Sequence, residues 1–447
     1  MSKLLPLLAL LVFLTSPQLL GQMRRSAPIH DEKADAEEQD FFEQWRIESR
    51  EYRTPLAGQY FYTEMAGESI HIEPRDRRNV MAVNVGSSVF VPKIGTHSFV
   101  PFAAFYFRQQ WQDDWRRLRA VLTGVVNYVD FADGTWNQSG IEAIARWENF
   151  TVPLPTTEIV DGNEVESSEI YWGHLVGSAG IGWRAPIFPF HCDNDFTVQL
   201  CYELGYLYTK KTKKSGAEVI LPPNTFIHEL HLRVRLDAFD RNLLELPHSG
   251  MAFGLDCSIG RRDNWADHQF AEAVTFSRQD TRDYLRISGY FVTALDVPLL
   301  SERHKILVSC HVAWSPSKNS DRFSAFRLGG GPNPSESNDL SRHPFPGALF
   351  DQFLLERYFL TSLEYRFEAL FFLYLHVRGT LGWGRVAGLK DDNRLAFTNQ
   401  TVESFSVGIS SGFLWDSMLY LEYAYDAGIV RPNDYGHGVM VSWSKEL

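Results

Sequence analysis

The sequence predicts an all-β fold: a 16-stranded antiparallel transmembrane β-barrel preceded by a short N-terminal periplasmic or plug segment. Three observations carry that expectation. Apolar and polar residues alternate with period two from about residue 56 to the end of the chain. The alternating runs are long, nine to seventeen residues, whereas strands of soluble sandwiches run to about five or six. Aromatic residues make up 14% of the chain, with 32 Phe, 18 Tyr and 12 Trp, and many apolar faces begin or end on one, as expected of membrane girdles.

Residues 1–22 read as a secretory signal peptide. An early Lys3 precedes an apolar run from Leu4 to Leu14 that is too short to span a bilayer. No later stretch of eighteen uninterrupted apolar residues occurs, so an exported chain without a transmembrane helix is expected. Residues 23–55 form an acidic segment. Acids crowd its start, and Arg46, Arg50 and Arg53 its end, which predicts a short helix over 31–53 at the periplasmic mouth or inside the lumen.

The barrel is expected over 56–447. "LHLRVRLDA" shows why: Leu230, Leu232, Val234 and Leu236 alternate with His231, Arg233, Arg235 and Asp237. Either arginine on the lipid side near mid-membrane would cost roughly 2–4 kcal/mol, so both face a polar interior. The predicted strands are 56–65, 79–89, 98–108, 118–130, 139–148, 168–184, 195–209, 225–239, 249–262, 284–296, 303–315, 352–367, 372–385, 402–414, 417–427 and 437–445, with 56–65 pairing to 437–445 to close the ring. Long and short connections then alternate, as outer loops and periplasmic turns do, provided 322–330 is a loop and not a strand. Inward Glu203, Glu229, Arg233, Arg235, Glu364, Arg366, Glu368 and Arg378 carry both signs, which predicts a cross-linked, water-filled lumen.

The longest connection contains "FRLGGGPNPSESNDLSRHPFPGALF" (326–350), between the eleventh and twelfth predicted strands. This stretch and its position resemble the sixth outer loop of the outer-membrane insertase and translocase superfamily, which includes the barrel-assembly insertase and two-partner-secretion translocators. The resemblance rests on Phe326, Arg327, Leu328, Gly329 and Gly330, and on a tip around Pro346 and Gly347, where Pro346 stands in place of the family's arginine. It implies a loop folded back into the lumen. Arg342 is expected to substitute for the missing arginine by reaching Glu364 or Glu368. The last strand, "GHGVMVSW", resembles the signal read by the barrel-assembly machinery, carried here by Gly438, Val441 and Trp443. The resemblance implies an outer-membrane location, contact with outer-membrane lipid and a polypeptide substrate or soluble periplasmic partner. Residues 23–55 are too few to hold one of the family's periplasmic modules. The alternative is a passive pore or structural barrel.

Enzymatic readings are weaker. Gly408-Ile409-Ser410-Ser411-Gly412 matches a nucleophile elbow, but that motif needs a strand-to-helix turn and this one lies inside a clean strand. The Leu328–Gly331 run lacks the Lys-Ser/Thr and helix of a phosphate loop. His228 and His231 fall on opposite strand faces, unlike a zinc helix. No cofactor is expected, and a net charge of −12 argues against nucleic acid. Cys257 and Cys310 read as small apolar residues; Cys192 and Cys201 are candidates for a disulfide, although Cys201 also sits mid-strand.

Overall fold

The computed structural model describes residues 52–447 except 66, 75–76, 112–114, 137–138, 152–154, 188–193, 271–274, 317–319, 332–339, 343, 390–394 and 413–416. Residues 1–51, with the expected signal peptide and most of the expected helix, lie outside the described residues, as does Cys192. Cys201, Cys257 and Cys310 are free thiols.

Sixteen wall strands pair in sequence order around a closed ring. They are β1 (Asn79–Ile94), β2 (His97–Trp111), β3 (Arg116–Leu122), β4 (Val126–Asp133), β5 (Ile141–Thr151), β6 (Asn163–Pro186), β7 (Asp195–Lys211) and β8 (Thr225–Arg241). The second half holds β9 (Pro247–Arg262), β10 (Asp283–Asp296), β11 (His304–Trp314), β12 (Phe353–Leu370), β13 (Leu373–Leu389), β14 (Leu395–Ser411), β15 (Ser417–Gly428) and β16 (Tyr435–Glu446). β16 pairs antiparallel with β1, from His437↔Val91 to Glu446↔Ala82. A closed ring leaves no sheet edge, which is what an apolar surrounding demands of a β-sheet.

The expected number of strands is present, but two expectations about them are corrected. Residues 56–65 are not in the wall: Phe61–Met65 pairs with Glu68–Ile72 as a separate hairpin, and the partner of 437–445 is β1. Residues 118–130 are not one strand but parts of two, β3 and β4, folded back at 123–125. Thr123 Oγ1 accepts the N–H of Val126 (2.9 Å) and Asn127 Oδ1 that of Gly124 (3.1 Å), so the turn is built from its own side chains. One strand lost and one gained restore the direction of every later strand. As expected, 322–330 does not cross the wall; Phe326–Leu328 pairs only with the top of β12.

The period-two pattern sorts the two faces. Ile181, Ile259 and Leu363 point outward, 63%, 60% and 59% exposed, and Tyr425, Tyr435 and Trp314 are exposed as well. Inward, buried charged and polar side chains fill much of the lumen. At the rim carrying the β11–β12 connection the interior turns apolar. Phe90 and Ile94 of β1, Phe353 and Leu355 of β12, Val402 of β14 and Val430 enclose Phe326, Leu328, Phe345 and Leu349. At the opposite rim, Thr54 Oγ1 donates to Glu368 (2.6 Å) and Ala57 N–H to the Arg241 carbonyl (2.8 Å), so the entering chain is tied across that mouth.

Cysteines introduced at Val85 and Trp443, a register pair across the ring closure, in a background lacking the native cysteines, are expected to cross-link under mild oxidation. A Tyr62/Trp443 pair is not. The reverse outcome on a reducing versus non-reducing gel restores 56–65 as the first wall strand.

Candidate functional site

The loop between β11 and β12 turns inward at once. The Asp321 carboxylate accepts the N–H groups of Phe323 (3.0 Å) and Ser324 (2.9 Å) and takes the Arg262 guanidinium of β9 on both oxygens (2.6 and 3.1 Å). Both side chains are buried, so the charge of each is met in the same place. Six residues on, Arg327 forms a two-pronged pair with Glu158 (2.8 and 2.9 Å), and Arg322 approaches the same carboxylate at 2.7 Å. Glu158 sits on Thr156–Val160, a short arm beside the upper part of β6. Burial alone would raise its pKa, but the two guanidiniums outweigh burial and hold it at about 2.

The return limb closes on the outgoing one. Phe345 N–H donates to the Gly329 carbonyl (2.9 Å) and Gly330 N–H to that of Leu349 (2.8 Å). A Cβ at Gly330 would lie 2.0 Å from the Ala348 carbonyl oxygen, so only glycine fits there. Phe345 is fully buried, edge-on to Phe353, and Ser404 Oγ donates to the Pro346 carbonyl (2.8 Å). Gly347 adopts φ +90°, and a Cβ there would meet Asp426 Oδ2 at 2.4 Å. Gly438 of β16 faces it: a Cβ on Gly438 would stand 3.1 Å from the Gly347 Cα. The tip thus lies on the inner faces of β15, β16 and β1, beside Ser88, Phe90 and Met440, across the ring closure.

One guanidinium fixes that placement. Arg431, in the β15–β16 connection, pairs with Asp426 (2.7 Å) and donates to the carbonyls of Gly347 (2.9 Å), Pro92 (2.7 Å) and His437 (3.1 Å). It therefore joins the loop tip to β1, β15 and β16. Both charged side chains are completely buried, and a planar fork with five donors suits such a site better than lysine.

Arg342 does not make the expected contact. It pairs with Asp351 (3.1 Å) and lies over the Phe350 ring (3.7 Å). Glu364 lies eleven residues down β12 from Phe353, roughly 36 Å along the strand, beyond a guanidinium held at the rim. Glu364 is instead shared by Arg366 (2.7 Å), Arg378 (2.9 Å) and His376 (3.1 Å), and Glu368 by Thr54. On the far wall His231 bridges Glu203 (2.9 Å) and Asp256 (3.0 Å), Arg233 and Arg235 meet Asp256 (3.2 and 2.5 Å), and Tyr284 donates to Glu229 (2.6 Å). Val441 and Trp443 lie in the β16 ladder, paired with Ser87 and Val85. The sequence reading leaves out Glu158, Asp256, Asp321 and Arg431, because their partners lie far along the chain or on a loop.

Two enzyme-like groupings arise in the lumen. His376 Nε2 lies 2.8 Å from Ser410 Oγ while Nδ1 lies 3.1 Å from Glu364, the connectivity of a serine-hydrolase relay, on the serine of Gly408–Gly412. Ser410 is 1% exposed, however, and Glu364 is already held by two arginines. Ser410 also lies in a regular ladder pairing Tyr374 and Tyr420, so neighbouring N–H groups are spent on strand partners and not gathered into an oxyanion hole. The relay is a cross-link between β12, β13 and β14. Glu203, Glu229 and His231 approach one another as metal ligands do, but each is hydrogen-bonded within the wall.

No family model and no curated protein sequence matches the chain. Among solved structures, the barrel is similar to BamA from Haemophilus ducreyi lacking POTRA domains 1-3, at 11% identity and a TM-score of 0.47, over 86% of this chain and 75% of that one. It is similar to CdiB from Escherichia coli at 11% identity and a TM-score of 0.47, over 89% and 69%. CdiB from Acinetobacter baumannii gives 9% and 0.45, over 86% and 65%. The likeness is one of barrel fold.

The Glu158 clamp predicts a pH response. Its carboxyl has a lower pKa folded than unfolded, so its stabilisation is complete above about pH 4.5 and is lost as pH falls toward 2. Fluorescence of Trp172, which carries Arg327 over its ring, is expected to hold steady from neutral pH to about 4.5 and change below it. Glu158→Gln should remove that transition and destabilise the loop at neutral pH by about 3 kcal/mol, because buried Arg322 and partly buried Arg327 lose their partner. An unchanged acid transition in that variant contradicts the clamp. For Ser410, a fluorophosphonate probe is expected to give no labelling; a Ser410 adduct by mass spectrometry would mean that the relay is an active site.

Proposed function

We propose that the protein is a bacterial outer-membrane barrel that handles polypeptides, inserting or exporting them at the closure between β16 and β1, with the β11–β12 loop as its inner cover. The carrying observation is the Arg431 guanidinium, which binds the loop tip, the first strand and the last strand together. Parting β16 from β1 exposes two unpaired strand edges, each able to pair with an incoming strand. With the tip tied to both, separation and movement of the loop are coupled. On this reading the loop rim faces the cell exterior and the outward apolar face contacts lipid. Gly438, Val441 and Trp443 serve recognition by the barrel-assembly machinery, and a soluble periplasmic partner meets the opposite mouth. The second reading, a passive or structural barrel, is favoured by Pro346 at the position where the resemblance calls for arginine.

The test uses purified chain in proteoliposomes and a urea-unfolded small outer-membrane barrel as substrate. Faster acquisition of protease resistance than with empty liposomes is expected. A disulfide between Val89→Cys and Val439→Cys, a register pair across the closure, should abolish the acceleration, and reductant should restore it. A barrel that conducts ions in planar bilayers yet accelerates nothing in either redox state is the second reading.

A further inference from the structure

The wall is not equally tall all the way round. β1 and β2 pair at eleven consecutive positions, from Asn79↔Gln109 to Val89↔Phe99. On its other side β2 pairs with β3 at only seven, from Phe105↔Leu122 to Trp111↔Arg116, before the chain turns back into β4. Residues 97–104 therefore have no strand on that side among the described residues. Gln110 N–H points toward β1, donating to Arg78 (2.8 Å). Because backbone direction alternates, Phe99, Pro101 and Ala103 aim their backbone groups at the open side. Proline there has no N–H to leave unmet, a common device on strand edges.

The gap lies at the level of the apolar band. Across the ladder, Phe99, Pro101 and Ala103 pair with Val89, Ser87 and Val85, which pair with Val439, Val441 and Trp443 of β16. Above it the wall is bridged: Gly95 N–H donates to the Gly162 carbonyl (2.8 Å) and Thr96 N–H to Glu164 (3.0 Å). Among the described residues the result is a window with β2 on one side, the 123–125 turn as its sill and these bonds as its roof. Behind it lies a cavity of about 720 Å³. Outward-facing Pro101 and Ala103, the sill residues Thr123 and Val125, and inward Arg117 and Arg119 all line it, so one space runs from the outer face to the lumen. Seven arginines and four carboxylates line it in all. Near the sill, Arg119 donates weakly to Tyr128 Oη (3.4 Å) and rests on that ring at 5.5 Å, with its carboxylate neighbour Asp130 at 3.9 Å and its side chain 33% exposed.

We propose that this window is a lateral portal for an acidic phospholipid of the surrounding membrane, whose phosphate lodges by Arg119 while its acyl chains stay in the bilayer. An apolar opening onto a cationic chamber matches an amphiphile with a buried anionic head. It suits a pairing polypeptide strand less well, because Pro101 interrupts the donor row midway along the edge. The portal rests on the membrane placement proposed above and does not depend on polypeptide handling.

The test reconstitutes the full chain in nanodiscs containing phosphatidylglycerol or phosphatidylcholine, each with a diazirine on an acyl chain near the headgroup, and maps photo-adducts by mass spectrometry. Adducts on cavity residues such as Val121 and Tyr128 are expected with phosphatidylglycerol and about tenfold fewer with Arg119→Gln, the loss of one charge-assisted hydrogen bond. Val125→Trp, which narrows the mouth and removes no charge, should lower the same adducts, and heat-modified gel mobility confirms that both variants fold. Three results overturn the portal: adducts confined to outward residues such as Leu122 and Phe105; equal cavity labelling by both lipids; or loss of cavity labelling on adding inorganic phosphate, which assigns the arginines to a soluble anion. A co-purified polypeptide cross-linked along 99–103 with no lipid in the cavity overturns it as well. Absence of adducts anywhere on the outward wall contradicts the membrane placement itself.

Discussion

Closure of the backbone ladder is the constraint from which the rest follows. A sheet whose outer face is apolar cannot leave N–H and C=O groups unmet along an edge without a cost of several kcal/mol per group. β16 must therefore find a first strand of matching length. β1 offers sixteen residues, whereas Phe61–Met65 offers five and pairs with its own hairpin neighbour instead. The upper edge of β2 departs from the rule, and there a proline, a roofed gap and a polar chamber occur together.

The loop is seated by two kinds of force with different reach. Phe345, Phe326 and Leu349 bury apolar area against β1 and β12, which holds the loop inside without fixing its register. The register comes from directional contacts: Arg327 with Glu158, Arg262 with Asp321, and Arg431 with Asp426 and three carbonyls. Arg262–Asp321 and Arg431–Asp426 are buried pairs, and the Arg327–Glu158 pair is buried on the carboxylate side, so breaking any of them strands a charge.

The strand faces were legible because alternation fixes side-chain direction residue by residue: Arg233 and Arg235 could only point inward. The turn at 123–125 was missed although the phase changes there, with Leu118 and Leu122 at even positions before it and Val129 and Phe131 at odd positions after it, because a single glycine is the one turn residue between two apolar runs. The Leu328–Gly331 run and its position in the strand order marked this stretch as a loop, while its anchors were not legible. Glu158 lies 169 residues from Arg327, and nothing local marks either as the other's partner. Arg342 shows the complementary limit: the residue type suits the role, but its distance from Glu364 is a property of the fold.

Hydrogen–deuterium exchange of residues 344–352 in the membrane-embedded protein tests the central claim, that the loop is folded and seated over the β16–β1 closure. The N–H groups of Phe345, Ala348 and Gln352 are bonded within the loop, so exchange as slow as that of β15 and β16 is predicted. Exchange at the rate of an unstructured peptide would contradict it.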